Sequence, residues 1–160
     1  MIPTSIQKDC ECIVTALKKK LDADLIAAAL FGSYARGDYQ EGSDIDILLI
    51  ACNLPENHLD RMVFLNKAVI ECKRSPGFVP KTPEEFDRGF PSFYLDLGLD
   101  AIILYDTNEF LEQRLNRIRE ITEEAGLYRT GSRHNFYWNW KKRPKPGRWK
   151  ITWEGFYESP

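Results

Sequence analysis

Residues 31–50 read FGSYARGDYQEGSDIDILLI, and this stretch decides the fold. Gly32 and Ser33 follow a continuous apolar run, residues 25–31, at a point where a helix can begin. Free amides at a helix N-terminus bind phosphate, and glycine lets an anion approach the backbone closely. The hydroxyl of Ser33 adds a donor, and Arg36, one turn further on, adds a fixed positive charge. These residues predict a phosphate-binding turn between a buried strand and a helix.

Two acidic side chains lie near the end of the same stretch. Asp44-Ile45-Asp46 is predicted to open a second buried strand, on which residues two apart point to the same face. Two carboxylates about 6–7 Å apart by strand rise repel each other unless a cation joins them. Carboxylate oxygens suit Mg²⁺ or Mn²⁺. A divalent-metal site at Asp44 and Asp46, beside a phosphate-binding turn, is typical of in-line phosphoryl or nucleotidyl transfer.

The order of these residues resembles a known family. Gly-Ser-x-Ala-x-Gly, followed by Ser-Asp-x-Asp at the head of an apolar strand, is similar to the motif of the nucleotidyltransferase superfamily related to DNA polymerase beta, above all its small, minimal members. The matching residues are Gly32, Ser33, Ala35, Gly37, Ser43, Asp44 and Asp46. The resemblance implies a nucleoside triphosphate donor and a two-metal mechanism. It also implies that Gly32 and Ser33 hold the triphosphate and that Asp44 and Asp46 hold the metals.

One feature of that family has no counterpart here. Its catalytic members usually carry a third carboxylate on a later strand, which by element order is residues 77–81, and that segment has no acid. Glu71 precedes it, and Asp96 and Asp100 follow it. If residues 93–100 form a strand, the two aspartates share a face and can serve; if they form a helix, they are not expected to. The group that activates the acceptor is therefore Asp96, Asp100, Glu71 or none of these.

Hydrophobic periodicity elsewhere predicts an α/β (α+β) domain with a mixed β-sheet flanked by helices. We expect helices over residues 6–21, 56–73 and from Pro83, and a last one between Asp106 and Gly126. We expect strands over residues 25–31, 45–50, 77–81 and 101–105. The third strand should lie at a sheet edge, because Pro80 cannot donate a backbone hydrogen bond. Residues 93–100 remain open between helix and strand.

The C-terminal part differs from the rest in charge. We divide the chain into a nucleotidyltransferase-like domain, residues 1–126, and an extension, residues 127–160. The extension holds eight basic and two acidic residues and all four tryptophans, whereas the rest holds 14 basic and 22 acidic residues. We expect a basic, aromatic β-hairpin pairing residues 135–141 with 149–153. Its tryptophans cover a sheet edge, bind nucleic acid by stacking, or help to frame an acceptor pocket.

The composition is that of an ordinary globular protein. The chain has 160 residues, 43% hydrophobic and 29% charged, and no apolar run reaches the roughly 18–20 residues of a membrane span. The N-terminus lacks a signal-peptide pattern, so a cytoplasmic protein without membrane contact is expected. The four cysteines are expected to be reduced and structural. His58 and His134 have no ligand partner at metal spacing and are expected to be ordinary surface or half-buried residues.

These observations favour an enzyme that transfers a nucleoside monophosphate from a nucleoside triphosphate to an acceptor hydroxyl with Mg²⁺ or Mn²⁺, releasing pyrophosphate. The acceptor is a protein, a small molecule or a nucleic acid. The missing third acid leaves open an impaired nucleotide-binding or antitoxin-like module that binds a partner protein or a second copy. The basic extension leaves open a nucleic-acid-binding protein.

Overall fold

The computed structural model describes residues 2–132 and 135–160, so His134 lies outside the described residues. The helices are α1 (Thr4–Leu21), α2 (Gly32–Arg36), α3 (His58–Ala68), α4 (Pro83–Arg88), α5 (Phe93–Asp100) and α6 (Phe110–Ala125). The strands are β1 (Leu25–Phe31), β2 (Asp46–Ala51), β3 (Gly77–Lys81), β4 (Ile102–Asp106), β5 (Leu127–Thr130), β6 (Tyr137–Trp140), β7 (Trp149–Thr152) and β8 (Gly155–Glu158). None of the described helices is long and apolar enough to cross a bilayer.

The central sheet is mixed, as predicted. Its strand order is β3-β2-β1-β4, with β1 antiparallel to both β2 and β4, and β2 parallel to β3. Strand β3 lies at an edge, which agrees with the expectation drawn from Pro80.

Helices cover both faces of this sheet, because β1 and β2 are apolar on both sides. Ala27 to Leu30 and Ile47 to Ala51 are fully buried. Alternate residues of the two strands face opposite layers. One layer packs against α1 and α3, and the other against α4, α5 and α6. The continuous apolar runs in the sequence therefore reflect strands that are buried on both faces.

The ends of three strands meet at one edge of the sheet. Phe31, the last residue of β1, is in register with Asp46, the first residue of β2. Asp46 is also in register with Gly77, the first residue of β3. Helix α2 begins at Gly32, so the phosphate-binding turn predicted from the sequence lies directly beside Asp46.

The segment left open by the sequence is a helix followed by a strand. Residues 93–100 form α5, and residues 102–106 form β4. Alternating leucines suggested a strand, but Tyr94, Leu95, Leu97 and Gly98 are all buried in the helix. Gly98 is needed there because a Cβ at this position would lie 2.7 Å from Ile118 of α6. The glycine that argued against a helix is thus explained by close helix packing.

The C-terminal extension forms two hairpins, and the predicted pairing of residues 135–141 with 149–153 is wrong. Strand β5 pairs with β6, and β7 pairs with β8. Gly155, with φ 133°, permits the tight turn after Trp153-Glu154, so residues 149–158 close locally. The β6 and β7 strands meet only through side chains, for example where Trp140 packs edge-on against Trp149.

Trp153 lies against helices rather than a sheet edge. Trp153 contacts Phe86 of α4 and Tyr94 of α5, with ring centroids 5.7 Å apart in both cases. Its indole N–H donates to the carbonyl oxygen of Gly89 at 3.0 Å. Arg117 of α6 donates to the carbonyl oxygen of Trp153 at 3.1 Å. The second hairpin is therefore fastened to α4, α5 and α6.

Two cysteines form a disulfide bond, which contradicts the expectation that all four are reduced. Cys12 of α1 joins Cys72, with a Cα–Cα distance of 5.9 Å and a sequence separation of 60. Cys10 is buried and free, and Cys52 is half-buried and free. Sequence spacing cannot reveal such a pair, because α1 and the segment after α3 meet only through tertiary packing.

Candidate active site

The turn between β1 and α2 brings the backbone close to a carboxylate. Gly32 has a φ of 75°, and a Cβ at this position would collide with the side chain of Asp46. Only glycine fits, both because of this contact and because of the left-handed backbone. Ser33 follows as the second residue of α2 and is half-buried. The structure therefore places Gly32, Ser33 and Asp46 together.

Asp46 lies between two glycines. A Cβ at Gly77, on its other side, would lie 3.2 Å from Oδ1 of Asp46. The pKa of Asp46 is raised, first because burial disfavours the charged carboxylate and then because Asp44 is negatively charged; the Arg36 guanidinium opposes both effects. A carboxylate in this position is stabilised when a cation binds to it.

Asp44 lies in the turn before β2, whereas the sequence predicted it on the strand. It is exposed, and β2 begins at Asp46. Ile45 between them is buried, and its carbonyl oxygen accepts a hydrogen bond from the amide of Gly77 at 2.8 Å. Because Ile45 is anchored in this way, Asp44 stays near enough for its charge to raise the pKa of Asp46.

Ser43 fixes the turn that presents Asp44. Its hydroxyl accepts a hydrogen bond from the amide of Gln40 at 2.8 Å, and its own amide donates to the carbonyl oxygen of Gln40 at 3.0 Å. The serine of the Ser-Asp-x-Asp motif thus shapes the backbone before the acidic pair.

Arg36 lies at the last turn of α2 and has two neighbours. Its Nε donates to Oδ1 of Asp38 at 3.2 Å. Its guanidinium carbon also lies 5.2 Å from the ring centroid of Phe136, in the C-terminal extension. Arg36 is therefore shared between the α2 turn and the extension, a contact that no sequence pattern indicated.

Asp96 and Asp100 are paired with an arginine, and Glu71 lies beside a different groove. Asp96 and Asp100 of α5 both accept hydrogen bonds from Arg129, at 3.0 Å for Asp96 and at 2.6 and 2.8 Å for Asp100. Glu71 lines a different groove of about 740 Å³, beside the disulfide. The position in register with Asp46 on the next strand is Gly77. Among residues 2–132 and 135–160, no cluster of three or more acidic, cysteine or histidine side chains has the arrangement of a metal site.

A hydrogen bond between Arg74 and Tyr34 supports α2. Tyr34 is buried, and its hydroxyl accepts a hydrogen bond from Arg74 at 3.1 Å. Arg74 lies two residues after the disulfide cysteine Cys72 and three before Gly77. Neither Arg74 nor Arg129 carried a sequence signal, since a lone arginine far from a motif does not indicate its partner.

Comparison with known proteins agrees with this geometry. Residues 10–129 match the family described as the nucleotidyltransferase domain. A relative from Methanocaldococcus jannaschii, named "Putative protein adenylyltransferase MJ1305", is 39% identical over 109 residues, which cover 65% of this chain and 74% of the relative. A second relative from the same organism, named "Putative protein adenylyltransferase MJ0141", is 54% identical over 43 residues, covering 27% of this chain and 39% of that protein.

Two solved structures share the fold. One is a complex of a tri-AMPylated HEPN toxin from Shewanella oneidensis with its MNT antitoxin, matched with a TM-score of 0.50 and 18% identity over 73% of this chain and 86% of that one. The other is a spectinomycin adenyltransferase from Enterococcus faecialis with ATP and spectinomycin, with a TM-score of 0.50 and 13% identity over 74% of this chain and 65% of that one.

The family match covers the turn at Gly32, both aspartates, the mixed sheet and the flanking helices. The chain belongs to the nucleotidyltransferase domain family, and it is a nucleotidyltransferase.

Proposed function

We propose that this protein transfers an adenylyl group from ATP to a hydroxyl group of another protein. The observation that carries the proposal is Asp46, held between Gly32 and Gly77 with a raised pKa and with Asp44 beside it. Such a carboxylate pair favours a bound cation next to a turn that accepts phosphate. The names of the curated relatives support the choice of an adenylyl group and a protein acceptor.

The donor atoms fit Mg²⁺ or Mn²⁺. Magnesium is usually bound through one or two carboxylates together with substrate phosphates and water, and Asp44 and Asp46 supply two carboxylates. When bound, a divalent ion neutralises charge on the phosphates during in-line displacement. We therefore propose Asp44 and Asp46 as the metal-holding residues.

The remaining predicted residues bind the donor. We propose that the amides of Gly32 and Ser33 and the hydroxyl of Ser33 hold the triphosphate, and that Arg36 adds positive charge. The acceptor oxygen forms a bond to the α-phosphorus while the bond from that phosphorus to the β-phosphate oxygen breaks, and pyrophosphate leaves. The proton of the acceptor hydroxyl is released to water.

The decisive experiment removes both carboxylate charges. Asp44→Asn combined with Asp46→Asn should lower the transfer of label from α-labelled ATP by at least about a thousandfold, as expected when charge stabilisation is lost. The matched control is Asp60→Asn, which neutralises an exposed aspartate on α3. Circular dichroism should show both proteins folded. Unchanged transfer by the double variant would refute the assignment.

A second function is favoured by the glycine beside Asp46. With Gly77 in register with Asp46, and with no third acid grouped with Asp44 and Asp46 as a metal site in the described part of the chain, the alternative is a family member that binds nucleotide and a partner protein without turnover. The fold shared with an antitoxin in complex with its toxin makes a protein partner reasonable.

Gly77→Asp separates the two functions. A Cβ at this position meets Oδ1 of Asp46 at 3.2 Å, so the Asp46 side chain must shift by a few tenths of an ångström to admit it. If the natural protein is impaired, the variant should gain transfer and Gly77→Asn should not. If the natural protein already turns over, the new carboxylate is not required, and transfer by the unmodified chain decides for the first function.

We propose that the reaction takes place in the cytoplasm, where nucleoside triphosphates are abundant. There the Cys12–Cys72 disulfide would be exposed to reducing thiols. Alkylation of the protein in freshly lysed cells, followed by mass spectrometry, reports whether these two cysteines are joined. Complete alkylation of both would place the working protein in its reduced form.

A further inference from the structure

A small cavity lies between α2, α5 and the C-terminal extension. Its volume is about 200 Å³. Its walls include three phenylalanines and two guanidinium groups, from Phe31, Phe93, Phe136, Arg36 and Arg129, and Gly32 forms one side. The cavity thus borders the glycine of the predicted phosphate-binding turn. Its other walls include residues of the C-terminal extension, which lie about 100 positions later in the sequence.

The polar side chains of this cavity are fixed. Arg129 donates two hydrogen bonds to Asp100 and one to Asp96. The indole N–H of Trp138 also donates to Oδ1 of Asp96, at 3.2 Å. These carboxylates raise the pKa of Arg129, which therefore stays charged. A pocket whose charged groups are already held in place loses little entropy when a ligand enters.

Phe136 lies among these groups. Its ring centroid is 4.7 Å from the guanidinium carbon of Arg129 and 5.2 Å from that of Arg36. Guanidinium planes and phenylalanine rings are both surfaces on which heteroaromatic rings stack. The cavity wall therefore offers several flat, polarisable faces within one small volume.

The charge of the cavity argues against a phosphate as its occupant. Arg36 is paired with Asp38, and Arg129 is paired with two carboxylates, so among the described residues these two arginines bring no surplus of positive charge to the cavity. The size argues against a whole nucleotide, since pockets that enclose drug-sized ligands measure roughly 300–1,000 Å³. A neutral, flat ring system fits both the charge and the volume.

We propose that this cavity binds the base of the donor nucleotide, and that Phe136 is the residue that determines how tightly the base is held. This inference rests on the proposed function, which puts the triphosphate at Gly32 and Ser33. Gly32 is common to both sites, so a nucleotide whose phosphates bind at this turn lies within reach of the cavity. The family match ends at residue 129, so Phe136 is contributed by the extension.

The amino group of a base finds an acceptor in the same place. In the described part of the chain, Arg129 and Trp138 both donate hydrogen bonds to Oδ1 of Asp96, so its Oδ2 atom can accept another. The Asp96 side chain is 44% exposed, which leaves that oxygen reachable. Asp96 is therefore interpreted as a positioning residue for the base and not as the missing third acid.

The test compares two ligands that share phosphates and differ in the base. Calorimetry with Mg²⁺ measures the dissociation constants of ATP and of inorganic tripolyphosphate for the full chain and for Phe136→Ala. Loss of one stacking contact should raise the dissociation constant of ATP about tenfold. Tripolyphosphate should bind both proteins equally. Tyr157→Ala, which removes an exposed aromatic ring from β8, is the matched control and should change neither constant.

Each outcome of this comparison supports or overturns the assignment of the cavity as the base site. If Phe136→Ala weakens the binding of ATP and of tripolyphosphate equally, or weakens the binding of neither, the cavity is not the base site. In that case, loss of ATP binding in the Asp44 and Asp46 double variant still supports the proposed function. If the unmodified protein binds neither ligand, the proposed function and this inference both fail. Phe136→Trp keeps an aromatic face, so its ATP constant should stay within about twofold of the original; a tenfold loss in this variant also counts against stacking.

Discussion

The sheet that carries the two aspartates and the C-terminal extension are held together in different ways. In the sheet, β1 and β2 are almost fully buried on both faces, and the helices pack on them mainly through apolar side chains. In the extension, the residues of β5 to β8 other than Leu127 are half-buried or exposed, and polar contacts from Arg129, Arg117 and Trp153 act beside a small apolar cluster to attach them to the helices. The proposed site therefore combines a buried, mostly apolar sheet with a more exposed extension that hydrogen bonds and an ion pair help to attach.

The disulfide is expected to contribute most to the stability of the sheet part. Replacing Cys12 and Cys72 with serine should lower the free energy of unfolding by about 4 kcal/mol, because the bond closes a loop of 60 residues that is otherwise free in the unfolded chain. Urea denaturation under non-reducing conditions measures this change. Cys52→Ser is the control and should alter stability little. An equal loss in both would contradict the assignment.

The apolar interior of the sheet should be more sensitive than the outer hairpin. Leu30→Ala removes a fully buried side chain from β1 and should cost about 3 kcal/mol, through lost burial and the cavity left behind. Tyr157→Ala removes a side chain that is 54% exposed and should cost less than about 0.5 kcal/mol. Thermal unfolding of both variants checks the difference, and similar losses would break the comparison.

Much of this contrast could be predicted from the sequence, but only for the sheet. The runs at residues 25–31 and 46–51 are apolar because both strand faces are buried, and that property is local, so periodicity and composition indicate it. The Gly32 and Asp46 contact was also accessible, because a motif of fixed spacing carries it. The helix predicted from Pro83 is present as α4, and Thr82 and Glu85 form a capping box at its start.

The parts that sequence could not supply depend on contacts between distant residues. Arg129 binding Asp96 and Asp100, Phe136 meeting Arg36, and the Cys12–Cys72 bond each join segments at least 29 residues apart. Hairpin pairing failed for a related reason. The turn at residues 153–154 lets β7 pair with its immediate neighbour β8. This short loop is favoured over the longer one that the predicted pairing of residues 135–141 with 149–153 requires.

The bond between the extension and α5 is expected to depend on charge. Arg129→Leu leaves Asp96 and Asp100 without their partner and should cost about 2 kcal/mol, less than a fully buried pair because Asp96 is 44% exposed. Adding Asp96→Asn and Asp100→Asn should recover part of this loss, since it removes the unpaired charges. Arg148→Leu, an exposed arginine of the extension, is the control. Equal stability of the two arginine variants would argue against the bond.

The smallest expected effect is a gain. In the folded protein the pKa of Asp46 lies above its ordinary value of 3.8, which applies to the unfolded chain. At a pH between these two pKa values, the folded state binds more protons than the unfolded state. Stability contributed at this site is therefore lost as pH rises through that window. Asp46→Asn should raise the melting temperature by a few degrees at pH 7, and the gain should shrink as the pH falls towards 4.

Differential scanning calorimetry at several pH values tests this sign. Asp60→Asn, on the exposed side of α3, should show no such gain. A lower melting temperature for Asp46→Asn at pH 7 would mean that the charged carboxylate stabilises the folded chain, and that Asp44 and Asp46 are not a repulsive pair in the absence of a cation.

The Cys12–Cys72 bond has one more consequence, because it turns residues 12–72 into a covalent ring that includes both the glycine turn and the aspartate pair. A protease that cuts the exposed stretch at residues 40–42 opens this ring without separating it into two molecules. The nicked protein should migrate as one species on a non-reducing gel and as two fragments after dithiothreitol. The catalytic loop can therefore be severed while its two halves stay tethered to the same frame.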